Sequence, residues 1–281
     1  MTTTAILFPG QGSQTPDMRD DVERVRPDLL ALAIECVGKD PFALVQEGTR
    51  FAQPAIFCAS LAGWEALGRP EGDFMVGHSL GELAALVAGG FLSERTALEL
   101  VVLRGRLMQE AGESAGDGGM LALLGAGAAD HAEEIAAAHG LAVATDNSPL
   151  QVVLSGARGG FGAASDAARE LGLRPLELPV TGAFHSPMME GAVPEFEAAL
   201  AEAEVNPDPA GHATVFSAVT AQPFDDVRRR LAEALTSPVR WRESVLAMHE
   251  AGARRFVEVG PGRVLTGLVK RTVRDVELVN A

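Results

Sequence analysis

Between residues 74 and 90 the chain reads FMVGHSLGELAALVAGG, and few stretches restrict a fold more tightly. A short apolar run stops at Gly77, a serine follows in the pattern Gly-x-Ser-x-Gly, and a Leu/Ala-rich helical segment begins at once. A strand that turns into a helix within a few residues brings backbone against backbone, and glycines at 77 and 81 leave room for that approach. The turn presents the serine hydroxyl at a helix N-terminus, where free N–H groups and the helix dipole favour a developing negative charge. Capping alone would not require both glycines, so Ser79 is read as a candidate nucleophile.

The flanking sequence has the rhythm of an α/β protein. TAILFPGQGSQ reads as a buried strand, Ala5 to Phe8, entering a Pro/Gly turn. Residues 20–68 are helical in pattern, FMV is a second strand, and two more helices follow, broken near Gly89-Gly90. Strands alternating with helices specify a parallel sheet covered on both faces. The middle differs: GGMLALLGA reads as a strand, 128–138 as a helix, LAVATDNSPLQVVLSGA as two strands joined by a turn containing Asn-Ser-Pro, 159–172 as a helix and RPLELPV as a strand. That βαββαβ order is ferredoxin-like. The expected architecture is an α/β-hydrolase-like body with a parallel sheet over residues 1–117 and 182–281, interrupted by a ferredoxin-like βαββαβ unit over 118–181. The body resumes with a helix to about Glu204, a strand ATVFSAV, further helices and a last strand RFVEVG.

Composition excludes several classes. A net charge of −15 argues against a nucleic-acid partner. No apolar run approaches the roughly 18 residues that cross a bilayer, and MTTTAILFPG lacks the pattern of a secretory leader. Cys36 and Cys58 form neither a metal spacing nor a disulfide framework. These features lead to the expectation of a cytoplasmic monomer without membrane contact. The charge is uneven: residues 226–281 hold 11 Lys/Arg against 7 Asp/Glu, a local +4 that leaves −19 for the rest. A basic quarter on an acidic protein could receive an anionic partner.

A serine nucleophile needs a base. Of His78, His131, His139, His185, His212 and His249, His185 stands out in VTGAFHSPMME, after a strand end and at the start of a helix. It falls on the boundary between inserted unit and main body, where a cleft wall belongs.

Six motifs in order, FPGQGSQ (8–14), GHSLGE (77–82), LRG (103–105), AFHS (183–186), SPVRW (237–241) and EVGPGRVLTGL (258–268), closely resemble those of the malonyl-CoA:acyl carrier protein transacylases and the related acyltransferase domains of polyketide synthases. The resemblance covers nearly the whole chain. It implies a ping-pong transfer of a malonyl group from malonyl-CoA, through a Ser79 acyl-enzyme, to the phosphopantetheine thiol of an acyl carrier protein, with no bound cofactor or metal. It also implies a Ser79–His185 dyad without a carboxylate, the imidazole being oriented by a backbone carbonyl that maps to Arg240. Oxyanion donors map to the backbone N–H groups of Gln11 and Leu80. Arg104 maps to the clamp on the malonyl carboxylate, a task for which a guanidinium suits two parallel hydrogen bonds. Phe184 stands where malonyl-selective members carry Phe, and Gln53 and Asn147 fall beside the pocket. Leu150 departs from the usual glycine of NSPGQVVISG. Alternatives are a hydrolase clearing acyl groups from carrier proteins, a transferase of another acyl group, and a non-catalytic docking subunit. Fatty-acid synthesis and trans-acting polyketide synthesis are both compatible with the motifs. Acidic carriers are expected to dock at the basic quarter, around Arg254, Arg255, Lys270 and Arg271, and at the cleft rim.

Overall fold

The computed structural model describes residues 2–210 and 213–280, so His212 lies outside the described residues. Strand β1 (Thr4–Phe8) is followed by helices α1 (Met18–Val25), α2 (Pro27–Val37) and α3 (Thr49–Ala66), strand β2 (Phe74–Gly77), and helices α4 (Gly81–Ala88) and α5 (Glu94–Ala115). The middle of the chain holds β3 (Gly118–Leu124), α6 (Ala128–Ala138), β4 (Ala142–Ser148), β5 (Gln151–Ala157), α7 (Phe161–Glu170) and β6 (Arg174–Glu177). Then come α8 (Val193–Glu202), β7 (Thr214–Ser217), β8 (Gln222–Pro223), α9 (Val227–Glu233), α10 (Trp241–Glu250), β9 (Arg255–Glu258), α11 (Val264–Thr272) and β10 (Glu277–Asn280).

The large sheet has the order β10-β9-β1-β2-β7-β8, parallel except for the β7–β8 pair. Ala5 to Phe8 of the central β1 are completely buried, as a strand covered on both faces must be. Phe8 is level with Gly77, and Leu7 with Glu258, so β1, β2 and β9 finish side by side. The turns that leave them therefore converge at one end of the sheet, where open parallel sheets place their ligands. Buried Glu258 pins one of these turns: its carboxylate accepts from the N–H groups of Leu265 (2.9 Å) and Thr266 (2.8 Å) at the start of α11. Strands β8 and β10 were not expected from the sequence. One has two residues and the other four, none of them buried, so neither shows an apolar run.

The middle segment forms its own antiparallel sheet, β4-β5-β3-β6, the strand order of a ferredoxin-like unit. Helices α6 and α7 cover it through a separate apolar cluster that includes Leu121, Leu123, Ile135, Leu154 and Phe161. Asn147 and Ser148 end β4 instead of lying in the turn, which is Pro149-Leu150. The expected 159–172 helix is shorter, with a 3-10 turn at Arg158–Gly160 before α7.

Edge strand β4 ties this sheet to the body. The N–H of Asp146 donates to Val239 O (2.9 Å) and the N–H of Val239 to Ala144 O (2.8 Å). Arg242 then grips the Asp146 carboxylate with Nε at 2.9 and 3.0 Å and Nη2 at 2.7 Å. Both side chains are largely covered, so losing one leaves a poorly solvated charge. Asp146→Ala is expected to lower stability by about 1–3 kcal/mol in urea denaturation; an unchanged midpoint would mean that this pair does not hold the small sheet.

Candidate active site

The turn after β2 is built on absent side chains. A Cβ at Gly77 would collide with the Gly81 carbonyl carbon, one at Gly81 with the Phe8 carbonyl, and one at Gly10 with the His78 carbonyl. Three backbone segments thus meet without side chains between them. Ser79 is forced to φ 53°, a left-handed conformation that costs a non-glycine residue roughly 1–3 kcal/mol. His185, on the far side of the cleft, has φ 57°. The surrounding contacts hold both residues in place.

Ser79 Oγ lies 2.8 Å from His185 Nε2. The other ring nitrogen, Nδ1, is 2.8 Å from the Ala234 carbonyl, which can only accept, so Nδ1 carries the proton and Nε2 is left to accept from the serine. The expected carbonyl of Arg240 does not serve. That oxygen takes the Ser244 N–H (3.0 Å) and hydroxyl (2.9 Å) in the first turn of α10. The Arg240 side chain pairs with Glu243. Ala234 instead caps the C-terminal end of the short α9, where a helix leaves carbonyls without partners. Burial, with the Arg104 cation and His78 adding to it, lowers the His185 pKa to about 3. The imidazole is therefore a neutral acceptor at ordinary pH.

Arg104, from α5, is 2 % exposed. Its Nη2 donates to Ser79 Oγ (3.2 Å) and its Nη1 to Gln53 Oε1 (2.7 Å). Gln53 Nε2 donates to Thr49 Oγ1 (2.9 Å), and Thr49 Oγ1 donates to Gln11 Oε1 (2.9 Å). Gly105 allows the close packing of α5 on α3 that makes this possible, since a Cβ there would press on Arg50 Cα and Thr49 O at 3.1 Å. Burial lowers the Arg104 pKa to about 10 against the opposing pull of Glu82, itself buried and raised to about 7. Glu82 Oε1 accepts the Ala218 N–H (2.8 Å). Across the cleft, His78 Nε2 meets Asn147 Oδ1 at 2.8 Å, joining the small sheet to the residue before Ser79.

The cleft encloses about 500 Å³. Gln11, Gln53, Ser79, Leu80, Arg104, Asn147, Phe184 and His185 all line it, and Arg240 is the one expected site residue placed elsewhere. Among the basic residues, Arg271 Nη1 donates to the cleft-lining Gln151 (3.2 Å). Arg255 instead starts β9, level with Thr4 at the opposite end of the sheet, with Arg254 beside it. Those two arginines are therefore removed from the expected docking group. Thr49, Glu82 and Ala234 were missed. Only Glu82 left a signal, as a charge in an otherwise apolar helix. Among the described residues no cluster of metal-ligating side chains occurs, and no helix is long and apolar enough to cross a membrane.

The acyl transferase domain family matches residues 38–281. The malonyl CoA-acyl carrier protein transacylase of Escherichia coli K12 is 37% identical over 290 residues, covering 97% of this chain and 94% of the relative. The polyketide biosynthesis protein ThaF of Burkholderia thailandensis is 39% identical over 95% of this chain, which spans only 24% of that relative's length. The crystal structure of an acyl carrier protein S-malonyltransferase from Vibrio cholerae superposes with a TM-score of 0.89 at 37% identity, covering 100% of this chain and 97% of the other.

The buried imidazole has a consequence in solution. Its folded pKa lies below the ordinary 6.5, so the base stays unprotonated as pH falls through 6.5 and is lost only toward about 3. Reaction of Ser79 with an activated ester such as p-nitrophenyl acetate is expected to show no inflection around pH 6.5. A single titration centred there would contradict the buried, neutral base.

Proposed function

Because the chain belongs to the acyl transferase domain family, we propose that it is a malonyl-CoA:acyl carrier protein transacylase working through Ser79 and His185. The observation that carries this reading is the cluster of nucleophile, neutral base and buried guanidinium around one oxygen: Ser79 Oγ is 2.8 Å from His185 Nε2 and 3.2 Å from Arg104 Nη2.

His185 Nε2 takes the serine proton as Oγ attacks the malonyl thioester carbonyl. Negative charge gathers on the carbonyl oxygen, and the backbone N–H groups of Gln11 and Leu80 are the donors assigned to it. The imidazolium, held by the Ala234 carbonyl, returns its proton to the departing thiolate of coenzyme A. The phosphopantetheine thiol of the carrier then repeats the sequence in reverse: its proton goes to His185, its sulfur takes the malonyl group, and Ser79 is regenerated. No cofactor enters any step. The two unpaired cysteines, Cys36 and Cys58, agree with a reducing cytoplasm as the setting.

Arg104 gives the site its choice of acyl group. In the resting protein its guanidinium donates to the very oxygen that must attack and, as a nearby cation, holds down the basicity of His185. A malonyl carboxylate neutralises that cation and draws the guanidinium onto itself, which frees the serine lone pair and raises the basicity of the imidazole. An acetyl group can do neither. Phe184 fills the space that an α-methyl branch would need, a discrimination of about 1–3 kcal/mol.

Intact-protein mass spectrometry after incubation with malonyl-, methylmalonyl- and acetyl-CoA tests the reading. A malonyl adduct is expected on the wild type and absent from Ser79→Ala; an adduct that survives the substitution would place the nucleophile elsewhere. Arg104→Ala is expected to lose about a hundredfold in malonyl acylation while keeping reaction with acetyl-CoA, since a charge-assisted contact is lost from one substrate only. An unchanged malonyl preference would remove Arg104 from this role. For the carrier, Arg271, bonded to the cleft-lining Gln151, and its exposed neighbour Lys270 remain the expected contacts. Lys270→Glu combined with Arg271→Glu is expected to slow carrier-dependent turnover without slowing Ser79 acylation by malonyl-CoA; an equal carrier rate would move the docking surface.

A further inference from the structure

Thr49 takes no direct part in the chemistry above, yet its hydroxyl stands at the middle of the polar chain that runs through the site. It is 3 % exposed, and Gln53 and Arg104 beside it are 1 % and 2 % exposed, so each polar atom here depends on protein partners. The direction of the chain is fixed from one end. Arg104 has only donors, so the Gln53 amide must face it with oxygen, at 2.7 Å from Nη1. The Gln53 nitrogen is thereby turned to Thr49 and donates to Oγ1 at 2.9 Å. With that lone pair engaged, the single hydroxyl proton of Thr49 is left for Gln11 Oε1, 2.9 Å away. A hydroxyl is the smallest group that can accept on one side and donate on the other.

We propose that Thr49 is a positioning residue that sets acyl-group selectivity, holding the Gln53 amide in the orientation that aims Arg104 at the acyl carboxylate and tying that clamp to the Gln11 turn. The proposal rests on the reading of Ser79 and Arg104 given above. Thr49 opens α3, directly after Gly48, and faces α5 where Gly105 lets the two helices approach. The carboxylate clamp and the turn that carries Gln11 therefore share one hinge. Without the hydroxyl, the Gln53 nitrogen keeps only the weak contact with Met108 Sδ at 3.4 Å, and the amide is fixed from the Arg104 side alone. Turned over, it would offer a donor to a guanidinium that cannot accept, and Arg104 would lose its anchor.

Thr49→Val keeps the shape and removes both hydrogen bonds, whereas Thr49→Ser keeps both. Single-turnover formation of the acyl-enzyme is followed by mass spectrometry with malonyl-CoA and with acetyl-CoA on each variant, with KM for malonyl-CoA measured alongside. In Thr49→Val the malonyl-over-acetyl preference is expected to fall between about ten- and a hundredfold, the scale on which a misaimed binding group acts, through a raised KM for malonyl-CoA. Thr49→Ser is expected to restore it. A general packing role would depress both acyl donors together, and equal losses for the two would overturn the proposal. So would a Thr49→Val chain that keeps the wild-type preference. If the wild type itself takes no malonyl group, the reading of Ser79 and Arg104 falls, and the role of Thr49 falls with it.

Discussion

The arrangement of the whole site follows from one buried cation. Arg104 cannot accept a hydrogen bond and cannot reach solvent, so every neighbour must turn an oxygen or a lone pair toward it. Gln53 and Ser79 both do so, and Glu82 on α4 opposes the fall that burial causes in the Arg104 pKa. Burying a guanidinium is costly unless it is hydrogen-bonded and paired, and the cost returns as binding energy only for a ligand that brings its own negative charge into the cleft. Elements far apart in the chain are drawn together to meet that demand: the start of α3, the middle of α5, and the turn after β2. The packing of α3 against α5 through Gly105 is the backbone expression of the same requirement.

Much of the fold was legible because its strongest elements announce themselves locally. The buried run Ala5 to Phe8, the strand–turn–helix around Ser79 and the βαββαβ order of the middle each rest on patterns within a few dozen residues. What escaped had no local pattern. Strand β10 is held by its pairing with β9, with no buried side chain of its own. The joining of β4 to the segment at Val239 is a backbone contact between residues nearly a hundred positions apart, and side-chain periodicity carries no record of it.

Site residues divide in the same way. Ser79 and His185 stand in motifs whose chemistry can be argued from residue type, Arg104 stood out only through the family resemblance, and the structure brings their polar atoms within hydrogen-bond reach. The carbonyl that orients His185 could not be read from residue type, because every residue has one. Which carbonyl is free depends on where helices end. Arg240 O belongs to the first turn of α10, and Ala234 O is left over at the end of α9. Thr49 was hidden for a related reason, since its significance lies in the direction of the hydrogen bonds it relays.

Ser79 and His185 both sit at left-handed φ, and both are held there by contacts whose benefit goes to geometry instead of to stability. On the role proposed for Ser79, relieving the first with glycine would give a chain that folds more readily and transfers nothing. The gradient of thermodynamic stability at this position therefore points away from catalysis, and a screen that rewards only yield or melting temperature would drift toward inert protein. Stabilising changes belong in regions without that conflict, such as the exposed edge strand β6 of the small sheet, where no reacting group depends on a strained backbone.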